Sequence, residues 1–431
     1  MESSEKRSII AGLYGNALEW YDFLLYASFA PLFAEIFFPT DAPFLSMIAT
    51  FTVFAIGFLV RPIGGALLGH YADHVGRRKA LIVSVTIMTI TTTFIAFLPT
   101  YQYAGIIAPI LFTLFRLVQG IAIGGELPGS ATFLIEHMFN YGRGFAGSLV
   151  LCTAFLGIFA GSLTASLLSA AIPYEQLAEW GWRLAYCIGG ALGILGIYLR
   201  FKSVEPSTFL QEQPSEELPA KLVFTRYKKQ LLLAVICTSI LAVGNYMLIA
   251  YATSFLVKSA SFSLNDALLI NFISLFLLTL LIPVMGLLSD YLGRKVVFLS
   301  GIIGIFLLAF PIFWLLMSGS WWYALGSELL LGIVLSPINA TVPTIIAEMF
   351  PTMVRASGTS IGYNIGQALF GGTAPLIAIL LIEMTGNNYA PAWYMFIWTI
   401  IVILAARFLQ ETNQKAPPKN PQVTEAPPLF E

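Results

Sequence analysis

Charge is what this sequence has least of. Asp, Glu, Lys and Arg make up 10% of the 431 residues, against roughly 25% in a soluble globular chain. So little polar surface excludes a water-soluble fold of this length. The 22 basic and 23 acidic residues leave a net charge of −1, so bulk charge points to no nucleic-acid or acidic partner. Cysteine is scarce too. Cys152, Cys187 and Cys237 stand singly inside apolar runs, at no metal spacing and in no disulfide framework, and read as packing residues. The three histidines, His70, His74 and His137, form no familiar metal spacing. No phosphate-binding loop occurs, so no ATP-driven mechanism is indicated. No Ser/His/Asp, metal or nucleotide site is visible, so neither an enzyme nor a cofactor is expected. No cleavable signal peptide is expected either. The first apolar run continues from near Ile9 to about Phe38 and contains Glu19 and Asp22, so it reads as a retained helix.

Long apolar runs are what the chain has instead. Hydrophobic residues make up 58% of it, and a helix needs about twenty to cross a bilayer. Twelve runs qualify: 11–37, 46–70, 80–98, 104–127, 144–170, 183–201, 230–257, 266–288, 296–318, 322–347, 356–382 and 391–409. Backbone groups in lipid must be satisfied internally, so runs of this length are helices. With the N-terminus cytoplasmic, 18 of the 22 Lys and Arg fall on the cytoplasmic side, Arg200 among them. Arg183 and Lys258 lie outside, and Arg61 and Arg116 fall within apolar runs. The bias gives the orientation, with both termini cytoplasmic in a multi-pass plasma-membrane protein. The expected division is an N-terminal six-helix bundle over 1–200, a cytoplasmic linker over 201–229, a C-terminal six-helix bundle over 230–410 and a disordered cytoplasmic tail over 411–431.

The two halves repeat. Gly69, Asp73, Gly76 and Arg77 recur as Gly286, Asp290, Gly293 and Arg294, all at an offset of 217. Glu136 and Arg143 recur as Glu348 and Arg355 at an offset of 212. Two motifs at nearly one offset indicate a duplicated unit.

The loop Gly-x-x-x-Asp-x-x-Gly-Arg-Arg/Lys, present after both the second and the eighth helix, resembles the signature of the major facilitator superfamily. Gly15-Asn16 with Glu19-Trp20-Tyr21-Asp22, Arg61-Pro62 with Gly64-Gly65, and Arg116 with Gln119-Gly120 resemble its metabolite/proton symporter branch. So do Gly124-Gly125-Glu126, Trp180 with Trp182-Arg183, Glu348 through Arg355, and Tyr363-Asn364. The resemblance implies an all-α membrane protein of two six-helix bundles, rocking around a midplane site. It also implies a bacterial inner-membrane symporter of protons with proline or betaine, or with carboxylates such as 2-oxoglutarate, citrate or shikimate. Some osmolyte-sensing members carry a C-terminal heptad coiled coil. The tail here has no heptads, so osmotic sensing through such a segment is not expected. The partners expected are a small solute, protons and the bilayer, with the chain acting as a monomer. A membrane sensor that kept the fold but lost transport is the rival from another class.

Ionisable groups in mid-membrane are costly and need partners or water. Glu19 and Asp22 are three apart, so they are expected to share one helix face, with Arg116 as counter-charge. These three and Glu126 are the candidates for proton coupling; the alternative is a fixed ion pair between helices. Arg61, Asn16, Tyr26 and Gln119 are candidates for substrate binding in the first half. The second half has no mid-membrane Lys or Arg. It offers Asn245, Tyr246, Tyr251, Asn339, Tyr363, Asn364 and Gln367, not all of which can face one point. Helix packing is the alternative for each. A gate is expected from Asp73, Arg77, Arg78, Glu136 and Arg143 with Asp290, Arg294, Glu348 and Arg355. Three acidic groups (Glu19, Asp22, Glu126) against two basic ones (Arg61, Arg116), with one carboxylate protonated, make a near-neutral site. Such a site favours a zwitterion over a multiply charged anion.

Overall fold

The computed structural model describes residues 3–138, 142–210 and 217–413. Among the described residues there is no strand. Among the described residues twelve helical spans make up most of the chain. α1 runs Ser3–Ser28 and continues as Ala30–Phe37; α2 runs Pro43–Leu59 and Arg61–Val75; α3 is Arg77–Ala96, α4 Ile107–His137 and α5 Arg143–Ala171. α6 is Tyr174–Phe201, α7 runs from Lys228 to Lys258, α8 is Leu264–Leu292, α9 Arg294–Leu316 and α10 Trp321–Glu348. α11 runs from Arg355 to Thr385 and α12 is Ala390–Ala406.

Ten of these are long and apolar enough to cross a membrane. α12 is apolar but shorter, and α1 carries Glu19 and Asp22 along its length. Several helices extend past the apolar runs at the basic face, the one that holds most Lys and Arg. α2 reaches Val75, α4 His137 and α10 Glu348, and the charged loops are built on these extensions. Helix irregularities follow local chemistry. The breaks at Phe29 and Val60 each precede a proline near the new helix start, where the missing N–H costs nothing. α7 and α11 widen into π-helical turns at Met247–Tyr251 and Gln367–Gly371.

α1 packs on α5 and α6, α2 on α4, and α3 on α4 and α6 within the first half; α10 packs on α8 and α9, and α12 on α9, within the second. The halves meet where α5 crosses α8 and α10, and where α2 and α4 cross α11. An aromatic core of Tyr26, Phe33, Phe37, Phe112, Trp182 and Tyr186 fills the first half away from the basic face.

The connecting segments are partly structured. The linker holds short helices Ser207–Leu210 and Pro219–Thr225, and the ring of Phe209 lies 4.8 Å from the Arg77 guanidinium. The tail expected to be disordered from 411 is bonded over its first three residues. Glu411 accepts from the Arg294 and Lys295 N–H groups, and Asn413 donates to the Asp290 carbonyl. The rest of that tail, 414–431, lies outside the described residues.

Candidate functional site

Asp22 and Arg116 form an ion pair at 3.0 Å, buried inside the first half. Thr92 of α3 donates to the other Asp22 oxygen at 2.9 Å, and Gln119 donates to Thr92 at 3.0 Å. Arg116 also donates to the Tyr186 hydroxyl at 2.7 Å, and its guanidinium lies 4.1 Å from the Tyr26 ring centroid. The Tyr26 hydroxyl donates to the Thr50 carbonyl. Tyr26 and Gln119, expected at the substrate, contact this pair or Thr92 beside it.

Glu19 does not join it. A step of three residues leaves two side chains about 60° apart around a helix. That is enough here to turn Asp22 towards α3 and α4 and Glu19 towards Arg61, its strongest charged neighbour. The expected shared face is thus divided between two environments. Asn16 is turned elsewhere again, donating to the Val150 carbonyl and to Thr153 of α5.

Glu126 has a partner that sequence reasoning missed. Arg200, counted among the cytoplasmic charges, is 1% exposed and engages both Glu126 oxygens. It also donates to the Leu81 and Ala11 carbonyls, and Ser84 donates to Glu126 at 2.7 Å. A bidentate buried pair of this kind is strong and fixed in geometry. A Cβ at residue 15 would strike the Arg200 guanidinium and the Glu126 carboxylate, which explains Gly15. Four helices, α1, α3, α4 and α6, are clamped at this point. Glu126 is held here in a buried ion pair with Arg200.

Between the halves lies a central cavity of about 20 Å³ lined by Trp20, Phe155, Asn245, Tyr246, Tyr363 and Gln367, room for one water. Arg61 has no ion pair or hydrogen bond among the described residues. Its guanidinium lies 4.1 Å from the Phe58 ring centroid and 5.6 Å from that of Phe23. Tyr246 and Tyr363 feel both Arg61 and Glu19 electrostatically, and Phe58 contacts Tyr246 across the halves at 6.2 Å. Gln367 donates to Tyr363 at 3.0 Å. Buried polar atoms nearly always have partners, yet five around this point have none: Glu19 Oε2, Trp20 Nε1, Arg61 Nε, Tyr246 Oη and Gln367 Oε1. Trp20, Phe23 and Phe58 were not among the expected site residues; a preference for polar candidates hid them.

The remaining candidates make contacts within the protein. Asn339 pairs reciprocally with Asn245 at 2.9 Å. Asn364 donates across the halves to the Gly124 carbonyl at 2.6 Å. Tyr251 packs on Phe255, which packs on Phe313.

At the basic face the repeated loops bind across the halves. Asp73 accepts from the N–H groups of Ala356 (3.0 Å) and Ser357 (2.7 Å) at the start of α11. Asp290 accepts from those of Gly144 and Phe145, both at 2.9 Å, at the start of α5. Each carboxylate thus caps a helix N-terminus of the opposite half, where the N–H groups lack partners and the dipole favours an anion. Arg77 pairs with Asp73 and Glu136 and donates to the Thr352 carbonyl, while Arg355 reaches Glu136 at 2.8 Å. Arg294 pairs with Asp290 and Glu348, and Arg143 reaches Glu348 at 3.0 Å. Arg78 stands apart. It donates to the Arg200 and Phe201 carbonyls within its own half, so it closes the end of α6 and not the gap between halves.

Two further carboxylates complete the face. Glu205, after α6, accepts from the Arg77 and Arg78 N–H groups, and Glu411, after α12, accepts from those of Arg294 and Lys295. Gly76 and Gly293 precede these helix starts at φ 128° and 102°, a region that favours glycine. Burial pushes the Glu205 carboxyl above its ordinary range, against the stabilising Arg78 and Arg77 N–H bonds. Their matching positions after the last helix of each half were the signal available in the sequence.

The chain matches the Major Facilitator Superfamily model over residues 15–362 and 234–431. It is 33% identical over 422 residues to the glycine betaine/proline/ectoine/pipecolic acid transporter OusA of Dickeya dadantii (strain 3937), covering 95% of this chain and 84% of that one. It is 32% identical over 422 residues to the proline/betaine transporter of Escherichia coli (strain K12), with the same coverage. With the putative proline/betaine transporter of Staphylococcus aureus (strain COL) it shares 34% over 412 residues, covering 94% and 88%. Among solved structures, the proton:xylose symporter XylE bound to 6-bromo-6-deoxy-D-glucose superposes with a TM-score of 0.78 at 16% identity, covering 95% of this chain and 97% of that one. The chain therefore belongs to the Major Facilitator Superfamily and is a multi-pass membrane transporter.

Proposed function

We propose that this transporter imports a small zwitterion of the proline or betaine type together with protons, across a bacterial inner membrane, with both termini cytoplasmic and the monomer as working unit. The observation that carries the reading is the unpaired Arg61 beside Glu19, in a buried aromatic setting with five orphaned polar atoms. Arg61 would take the solute carboxylate. Glu19 and the rings of Trp20, Phe23, Tyr246 and Tyr363 would surround its cation. Asn245 and Gln367 complete the wall. The names of the relatives from Dickeya and Escherichia point to the same solute class.

The Asp22–Arg116 pair would carry the coupling. Protonation of Asp22 releases Arg116, and deprotonation restores the pair. The two bodies, 1–200 and 230–410, then rock about the cavity. Asp73 and Asp290, with Arg77, Glu136, Arg143, Arg294, Glu348 and Arg355, hold the cytoplasmic face shut in this conformation. A 20 Å³ cavity holds no solute, so loading requires the opposite face to open.

The second reading, a di- or tricarboxylate held by Arg61 and Arg116, suffers because Arg116 is engaged by Asp22 and Tyr186. One free guanidinium beside a carboxylate does not compensate two or three buried negative charges. Competition tests the class. Unlabelled proline or betaine should displace labelled betaine from the carrier, while citrate and 2-oxoglutarate leave uptake unchanged. Displacement by the carboxylates alone would reverse the assignment.

A further inference from the structure

The second half contains a buried acid that the mechanism above does not use. Glu328 lies seven residues into α10, about 10 Å from its start, and is 0% exposed. One of its oxygens accepts from the Asn271 amide of α8 at 3.0 Å; the other has no partner. The same amide nitrogen donates to the Leu248 carbonyl at 2.6 Å, inside the π-helical turn of α7. Asn271 therefore ties the carboxyl to a distorted turn of a helix bordering the central cavity.

Among the described residues no cation pairs with Glu328. In α7, Lys stands only at the ends, at Lys228, Lys229 and Lys258; in α9, Arg294 and Lys295 stand at the start; α8 and α10 have no Lys or Arg. α8 carries Asp266, Asp290 and Tyr291 near its ends, and α10 carries Tyr323 and Glu348 near its own. In mid-helix α7 adds only Cys237 and the hydroxyls of Tyr246 and Tyr251. α5, α11 and α4 also touch α10. Their ionisable groups are Arg143 and Cys152, Arg355, Tyr363 and Glu383, and Arg116, Glu126, Glu136 and His137, none of them ion-paired to Glu328. The offset of 212 that relates Glu136 to Glu348 also relates Arg116 to Glu328. The acid stands where the first half places the arginine of its own buried pair.

We propose that Glu328 is a second proton-carrying site, in the second half, whose proton is released when the π-helical turn of α7 moves. An ionised carboxylate without a counter-charge is not sustained in such a place, so the packed conformation holds the acid form. π-helical turns inside α-helices occur frequently at functional sites. Shifting the turn breaks the Leu248–Asn271 bond and admits water. The proton passes from the Glu328 oxygen to that water, leaving hydronium and a carboxylate that keeps the Asn271 bond. The proposal rests on the proton-coupled reading above.

The test uses the full chain in vesicles, with betaine as the driven solute. Glu328→Gln, which mimics the acid form, should retain betaine exchange while the protons moved per betaine, read from the reversal potential, fall by about one. Infrared spectra of the wild type should show a protonated-carboxyl band that Glu328→Gln lacks and Glu328→Asp retains. An unchanged proton count in the Gln variant, or no such band in the wild type, overturns the proposal. A wild type that takes up betaine but moves no protons defeats the proton-coupled reading itself, and so separates the two failures.

Discussion

Asp22→Asn is expected to remove the share of uphill accumulation that its own proton drives, while exchange between equal pools survives. One proton moving through 100 mV releases ~2.3 kcal/mol, enough to sustain a solute gradient of roughly 50-fold. The substituted amide cannot take up and release a proton, so accumulation should fall by about that factor, the remainder being what the Glu328 proton drives. The geometry makes the change local. Thr92 still has an oxygen to donate to, and Arg116 keeps its bond to the Tyr186 hydroxyl and its place against the Tyr26 ring. Removing one partner of a buried ion pair nevertheless costs about 3–5 kcal/mol. Surviving exchange in the same preparation is therefore the control for folding. A variant that concentrates solute like the wild type would remove Asp22 from coupling and shift attention to Glu19.

Arg61→Ala is expected to raise the half-saturating concentration of betaine on the order of 100-fold, the scale of a lost buried charge contact of about 3 kcal/mol. Choline has the quaternary amine but no carboxylate, so its weaker inhibition should be little changed. Arg61→Lys should recover only part of the loss, because an ammonium lacks the planar fork that grips a carboxylate. The reason for expecting so large an effect is that Arg61 has no ion-pair or hydrogen-bond partner among the described residues. Unchanged betaine affinity in the Ala variant would show that the guanidinium never meets solute.

The spans were legible because lipid imposes one rule on most of them: about twenty apolar residues and no unsatisfied backbone. The repeated loops were legible because duplication leaves an offset. What spacing does not reveal is the partner. Nothing in the sequence says that Asp73 caps α11 and Asp290 caps α5, since both contacts cross between halves. Arg200 reads as a loop charge because it ends an apolar run; its burial depends on Glu126 and on the space left by Gly15. Glu19 and Asp22 are equivalent by spacing, and only neighbouring helices give each a different surrounding. Glu328 escapes a reading of the sequence because no residue beside it suggests chemistry, although the offset that carries Arg116 onto it is there to be found.

Proton movement on addition of solute tests the central claim most directly. Purified protein in sealed vesicles, in weakly buffered medium and without an imposed gradient, is given betaine, proline, citrate or 2-oxoglutarate from outside while external pH is followed. Betaine and proline should each alkalinise the medium, and a proton conductor should abolish the signal. Citrate and 2-oxoglutarate should leave the trace flat. Alkalinisation by the carboxylates alone, or betaine uptake with no proton movement, would contradict the account.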